Sequence, residues 1–148
     1  MESISAKIIP NNLSFNDIKV GRVFSFEVFV DKALARSFAK LTGDKNPLHL
    51  DEDYARKTEF GQTIVHGMLL GSFFSTLVGM LCPGQNALYL SQDLRFRNPL
   101  KFGQTVNVAG VVTAKYDTAK IIDIRTTIKD KNGTVIIDGL AKVKVRNE

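Results

Sequence analysis

The chain has 148 residues, 44% of them hydrophobic and 24% charged, a balance that excludes a disordered or low-complexity chain and predicts one domain over 1–148. Twenty Lys and Arg against fifteen Asp and Glu leave a net charge of +5, which admits an anionic partner without choosing between nucleic acid, an acidic membrane surface and a phosphate-rich coenzyme. Cys82 is the only cysteine, so an intramolecular disulfide is excluded and a reducing interior suits the chain best.

The first twelve residues lack the basic start and continuous apolar stretch of a secretory signal, and a cytoplasmic location is expected. Residues 1–20 show no clear period and read as an N-terminal extension. Val23-Phe24-Ser25-Phe26-Glu27-Val28-Phe29-Val30 is rich in strand formers. Asp31 is placed to cap a helix over Lys32 to Thr42, where Leu34, Phe38 and Leu41 recur at helical spacing and Gly43 supplies a stop. From Asp44 to Gln62 the chain turns polar, with Asn46-Pro47 as punctuation and Asp51-Glu52-Asp53 suited to the positive end of a short helix.

His66 to Leu81 is apolar almost all round, which predicts a helix inside the fold. Its length is near the lower limit for a membrane span, but it carries His66, Ser72, Ser75 and Thr76, so no membrane association is expected. Pro83-Gly84 ends it. Four strands follow, at about 87–98, 104–116, 119–130 and 133–145, and they predict an antiparallel meander with a tight turn at Asn132-Gly133. The pattern is α+β, a sheet wrapped around one long central helix.

The two histidines, His49 and His66, flank the polar stretch. Asp44 and His49 stand five residues apart across a proline turn, where a carboxylate and an imidazole can converge on one water as an acid/base pair. The plainer reading has Asp44 capping the turn and His49 satisfying a loop. Gly67 opens the apolar helix, where a free amide is able to receive a carbonyl oxygen or the missing side chain allows close packing. Ser75 is placed to meet a substrate group or its own helix. His66 reads as a substrate-positioning or packing residue.

Thr42-Gly43-Asp44-Lys45-Asn46-Pro47-Leu48-His49-Leu50-Asp51 and Ile64-Val65-His66-Gly67-Met68 together resemble the MaoC-like (R)-specific enoyl-CoA hydratases of the hot-dog fold. The likeness continues through Leu69 to Ser75, Pro83-Gly84 and Tyr89 to Phe96, and covers the chain from about Val20 onward. The resemblance implies a hydro-lyase in which Asp44 and His49 hold the water that adds to a trans-2-enoyl thioester, giving an (R)-3-hydroxyacyl thioester. It also implies that the Gly67 amide polarises the thioester carbonyl, that Ser75 is an active-site serine and that Asn46 shapes the turn. No metal or redox cofactor is implied. Coenzyme A is the substrate carrier, with acyl carrier protein as the alternative, and a homodimer is implied. Fatty-acid metabolism and supply of polyhydroxyalkanoate precursors both fit such a product. The chain departs from the family pattern at Thr63, where a proline often stands.

Competing readings are weaker. His49, His66, Asp44 and Asp51 come without a cysteine cluster or a His-Glu-x-x-His helix, so no metal is expected. Cys82 reads as a packing thiol. Nucleic-acid binding fails because tryptophan is absent and the cations are dispersed. Arg95, Arg97 and Lys101 are candidates for the coenzyme phosphates or for a solvated strand edge. A 3-hydroxyacyl carrier-protein dehydratase, a hot-dog thioesterase and a noncatalytic acyl-thioester binder are the alternatives on the same fold.

Overall fold

The structure, a computed structural model, describes residues 8–146. Strand β1, Val23–Val30, alternates exposed and more buried residues along its length, as a strand with one face on a core must. Asp31 then starts helix α1, Lys32–Thr42, by accepting from the Leu34 amide at 3.0 Å. Gly43 closes it at φ 83°, a backbone region that favours glycine, with its N–H donating to the Ala39 carbonyl. Leu34, Ala35, Phe38 and Ala39 face the core. Leu41 does not, and is 85% exposed. It shares Leu34's azimuth, but seven residues carry it about 10 Å further along the axis, past the apolar cluster.

Two single-turn helices follow, α2 at Pro47–Leu50 and α3 at Glu52–Ala55. The expected apolar helix is α4, Gly67–Thr76, continuing as a π turn over Leu77–Leu81. Leu69, Leu70, Phe73, Phe74, Leu77 and Val78 are buried along it. Each such side chain contributes about 1.5–3 kcal/mol of burial, so this segment anchors the fold. The chain before β1 is strapped across the far end of this segment: the Asn11 amide donates to the Met80 carbonyl and its side chain to that of Leu81. Residues 1–7 of the N-terminal extension lie outside the described residues.

The remaining strands are β2 (Ala87–Gln92), β3 (Arg95–Phe96), β4 (Gln104–Tyr116), β5 (Ile121–Asp130) and β6 (Val135–Val145). The sheet order is β1-β4-β5-β6-β2, with β3 also on β6, and every pairing is antiparallel. This corrects the four-strand meander. Only β4-β5-β6 runs as one, because β1 takes the free edge of β4 and the predicted 87–98 strand returns to β6. That strand is also split. A register shift between Tyr89 and Ser91 bulges it, and Arg95 resumes pairing opposite Asp138.

The Asn132-Gly133 turn is a three-residue loop instead of a two-residue one. Gly133 alone takes positive φ there, and the Asp130 carboxylate accepts from the amides of Asn132 and Thr134. Ala141, Val143 and Val145 are fully buried, as the alternation predicts. Lys142, on the other face, is more than a solvated charge: its ammonium pairs with Asp123 at 2.6 Å.

Candidate active site

Asp44 and His49 are placed by a relay of short-range bonds. The Thr42 hydroxyl accepts from the Asp44 amide, one Asp44 carboxylate oxygen accepts from the Asn46 amide at 3.1 Å, and the Asn46 side chain accepts from Leu48 N–H at 3.0 Å, capping α2. Pro47 supplies a preset φ at the first helical position. Asn46 therefore shapes the turn, and its side chain is spent on the backbone. The second Asp44 oxygen is left to face His66 and the cavity beyond.

His49 Nδ1 lies 2.9 Å from the Ile64 carbonyl oxygen. A carbonyl only accepts, so in neutral His49 the proton sits on Nδ1 and the lone pair on Nε2 is free. His66 has the opposite tautomer for the same reason, its Nε2–H donating to the Asp44 carbonyl at 3.2 Å. The two imidazoles stack at 3.9 Å between centroids, and Phe38 lies 5.0 Å from His66 on an inclined plane. Burial pushes the His66 pKa below its ordinary value and the neighbouring His49 adds to this, against the raising pull of the Asp44 carbonyl and carboxylate. His66 is 1% exposed and its Nδ1 has no hydrogen-bond partner. It is a neutral platform under His49.

One ligand-type atom from each of Asp44, His49 and His66 falls within 4.8 Å of the others. The carboxylate and the two imidazoles are therefore clustered at one place on the cavity wall. As a metal site the set is poorer than it looks, because the His66 N–H that points this way is already committed to Asp44.

The cavity in front of these groups measures about 430 Å³ and is walled mainly by apolar side chains, among them Phe60, Met68, Phe96 and Ile137. Gly67 lines it at the start of α4. A Cβ there would come within 2.7 Å of the Phe96 ring, so close packing is one reason for this glycine. As the first residue of α4, Gly67 also carries an amide with no partner within the helix.

Other candidate residues are not brought together. Ser75 is exposed and lines no part of the cavity. Eight residues take it about 12 Å along the helix and about 80° around it from Gly67, which separates the two. Arg95 and Arg97 are tied to Asp138, Arg97 by two bonds of 2.9 and 3.3 Å. Arg97 reaches the cavity rim, whereas Lys101 does not. The aromatic walls Phe60 and Phe96 and the anchor Asp138 were not singled out from the sequence. Phe60 lies in a loop, Phe96 in the short β3 and Asp138 inside β6 opposite Arg95, and none carries a local motif.

Thr63 is 3% exposed, and its hydroxyl donates to Glu52 at 2.8 Å. Glu52 also pairs with Lys32 at the start of α1. The Lys32 ammonium first, then the Thr63 hydroxyl, hold the Glu52 carboxyl at about 2. This bracket fixes the stretch leading to Ile64, the residue that holds His49.

Residues 15–134 match the family model described as a MaoC like domain. The chain belongs to the MaoC-like family. The chain is 39% identical over 131 residues to the (R)-specific enoyl-CoA hydratase of Rhodospirillum rubrum, covering 88% of this chain and 90% of that one. The (R)-specific enoyl-CoA hydratase of Aeromonas caviae is 38% identical, with 90% and 99% covered. Among solved structures, R-hydratase PhaJ1 from Pseudomonas aeruginosa superposes with a TM-score of 0.89 at 30% identity, over 96% of this chain and 90% of that one. The α4 helix wrapped by its antiparallel sheet is the hot-dog fold of this MaoC-like protein.

Proposed function

We infer that this protein is an (R)-specific enoyl-CoA hydratase, a hydro-lyase that reversibly adds water to trans-2-enoyl-CoA to give (R)-3-hydroxyacyl-CoA. The observation that carries the reading is the His49 Nδ1–H bond to the Ile64 carbonyl. It leaves a lone pair beside the free Asp44 oxygen at one wall of an apolar cavity, the arrangement that holding and deprotonating a water requires. The water donates to Asp44 and His49. As its oxygen bonds to C3, one of these groups takes its proton and the double-bond electrons move toward the thioester carbonyl. The Gly67 amide receives the developing negative oxygen. Return of a proton to C2 completes the addition, with water's two hydrogens accounted for. Asn46 holds the turn and His66 supports His49, while Ser75 is assigned no step.

The addition exchanges no electrons, so the reaction as proposed calls for no redox group, and coenzyme A is the proposed carrier of the acyl chain. No described helix is long and apolar enough to cross a membrane. The cytoplasmic setting proposed here is in keeping with a chain whose single cysteine, Cys82, forms no disulfide. A homodimer is supported by the outer edge of the sheet: among the described residues β2 has no further strand beside it, and it carries exposed Leu88 and Leu90, which a second copy would cover.

The test is kinetic. Asp44→Asn and His49→Gln each lower kcat for crotonyl-CoA hydration by about 10²- to 10⁴-fold, the range for loss of a general acid or base. Full activity in either variant, with native thermal stability, would remove that residue from the mechanism.

A further inference from the structure

Arg95 and Arg97 are occupied by Asp138, and a different set of cations stands free beside the site. Arg36 and Lys40 lie one turn apart on α1, hence on one face, and Lys45 follows Asp44 on the loop leaving that helix. The three surround a concavity of about 450 Å³ completed by Ala39, Gly43 and Leu50. All three cationic residues are exposed, and among the described residues no carboxylate pairs with any of them.

The helix dipole accounts for one of these charges. Lys40 is in the last turn of α1, at the negative end. It does not account for Arg36 a turn earlier or for Lys45 beyond the helix. Like charges gathered without a counter-charge repel one another, and a polyanion between them turns that repulsion into attraction. The volume is in the range of small-molecule sites, about 300–1,000 Å³.

Its place is as telling as its charge. Gly43 and Lys45 line this groove, while Asp44 between them lines the catalytic cavity; His49 lines the cavity and its neighbour Leu50 the groove. Consecutive Cα atoms are about 3.8 Å apart, so the two concavities adjoin along one loop. We propose that the groove bounded by Arg36, Lys40 and Lys45 binds the phosphate groups of the substrate's coenzyme A while the thioester lies at Asp44 and His49. The proposal rests on the hydratase reading and names where the anionic end of that substrate is held. These cations act on binding, remote from the reacting carbons.

The experiment compares native protein with Arg36→Ala/Lys40→Ala/Lys45→Ala in two measurements. One is calorimetric affinity for free coenzyme A. The other is the ratio of kcat/KM for crotonyl-CoA to that for crotonyl-pantetheine, which has the same thioester and no phosphate. The triple variant binds coenzyme A about tenfold more weakly, and the ratio falls by a similar factor through KM. Arg36→Lys with Lys40→Arg, which keeps the charges, retains the native values. If the triple variant is poorly folded, Lys45→Ala, outside any helix, shows the same direction. Equal affinities and ratios in native and variant protein would overturn the proposal, as would a defect confined to thioesters carried on a protein. Should the native protein hydrate neither thioester, the hydratase reading fails, while the coenzyme A affinities still decide the groove.

Discussion

His66 shows how a residue without a hand in the chemistry shapes it. Because its folded-state pKa is below the ordinary 6.5, it stays neutral while the unfolded chain takes up a proton. Its contribution to stability is therefore complete above about pH 6.5 and declines as pH falls below that value. Tm measured from pH 8 to 5 should fall over this window, and His66→Gln, which keeps an N–H donor without titrating, should flatten the fall. An unchanged slope would show that His66 is not the group responsible. That Asp44 and His49 come together was legible in the sequence from the proline turn between them, while their proposed role came from the family resemblance. The tautomer of His49 was not legible, since the Ile64 carbonyl that fixes it is fifteen residues away. The pairing of Arg95 and Arg97 with Asp138 was not legible for the same reason, Asp138 lying about forty residues further on.

Among elements, those announced by local chemistry formed as expected: α1 between Asp31 and Gly43, α3 behind Asp51, and the buried helix ahead of Pro83-Gly84. The strand at 87–98 was broken by a bulge that depends on β6, and no residue within the segment marks it. Thr63 belongs at this scale as well. Where a proline would stiffen the loop by fixing its own backbone, Thr63 is held by Glu52, and Glu52 by Lys32, so three elements are pinned together. Thr63→Val should loosen Ile64 and with it His49, lowering kcat/KM about fivefold, the equivalent of ~1 kcal/mol for one hydrogen bond. Initial rates with crotonyl-CoA check this, and a native rate would mean that the bracket does not reach the site. Glu52, held at about 2 against an ordinary 4.5, adds stability above pH 4.5 that is lost as pH falls toward 2.

Over the whole molecule, the α+β class followed from one apolar helix among alternating strands, but the order β1-β4-β5-β6-β2 is a set of long-range pairings that periodicity does not encode. That order matters for function because it brings β3, with Phe96, against the start of α4 and closes the cavity over Asp44 and His49. The account then makes one central claim, that water held by these two groups adds to C3 of an enoyl thioester on a single face. Purified protein given crotonyl-CoA should consume the conjugated enoyl-thioester absorbance and yield (R)-3-hydroxybutyryl-CoA. Formation of the (S) product, or release of free coenzyme A without hydration, would contradict it.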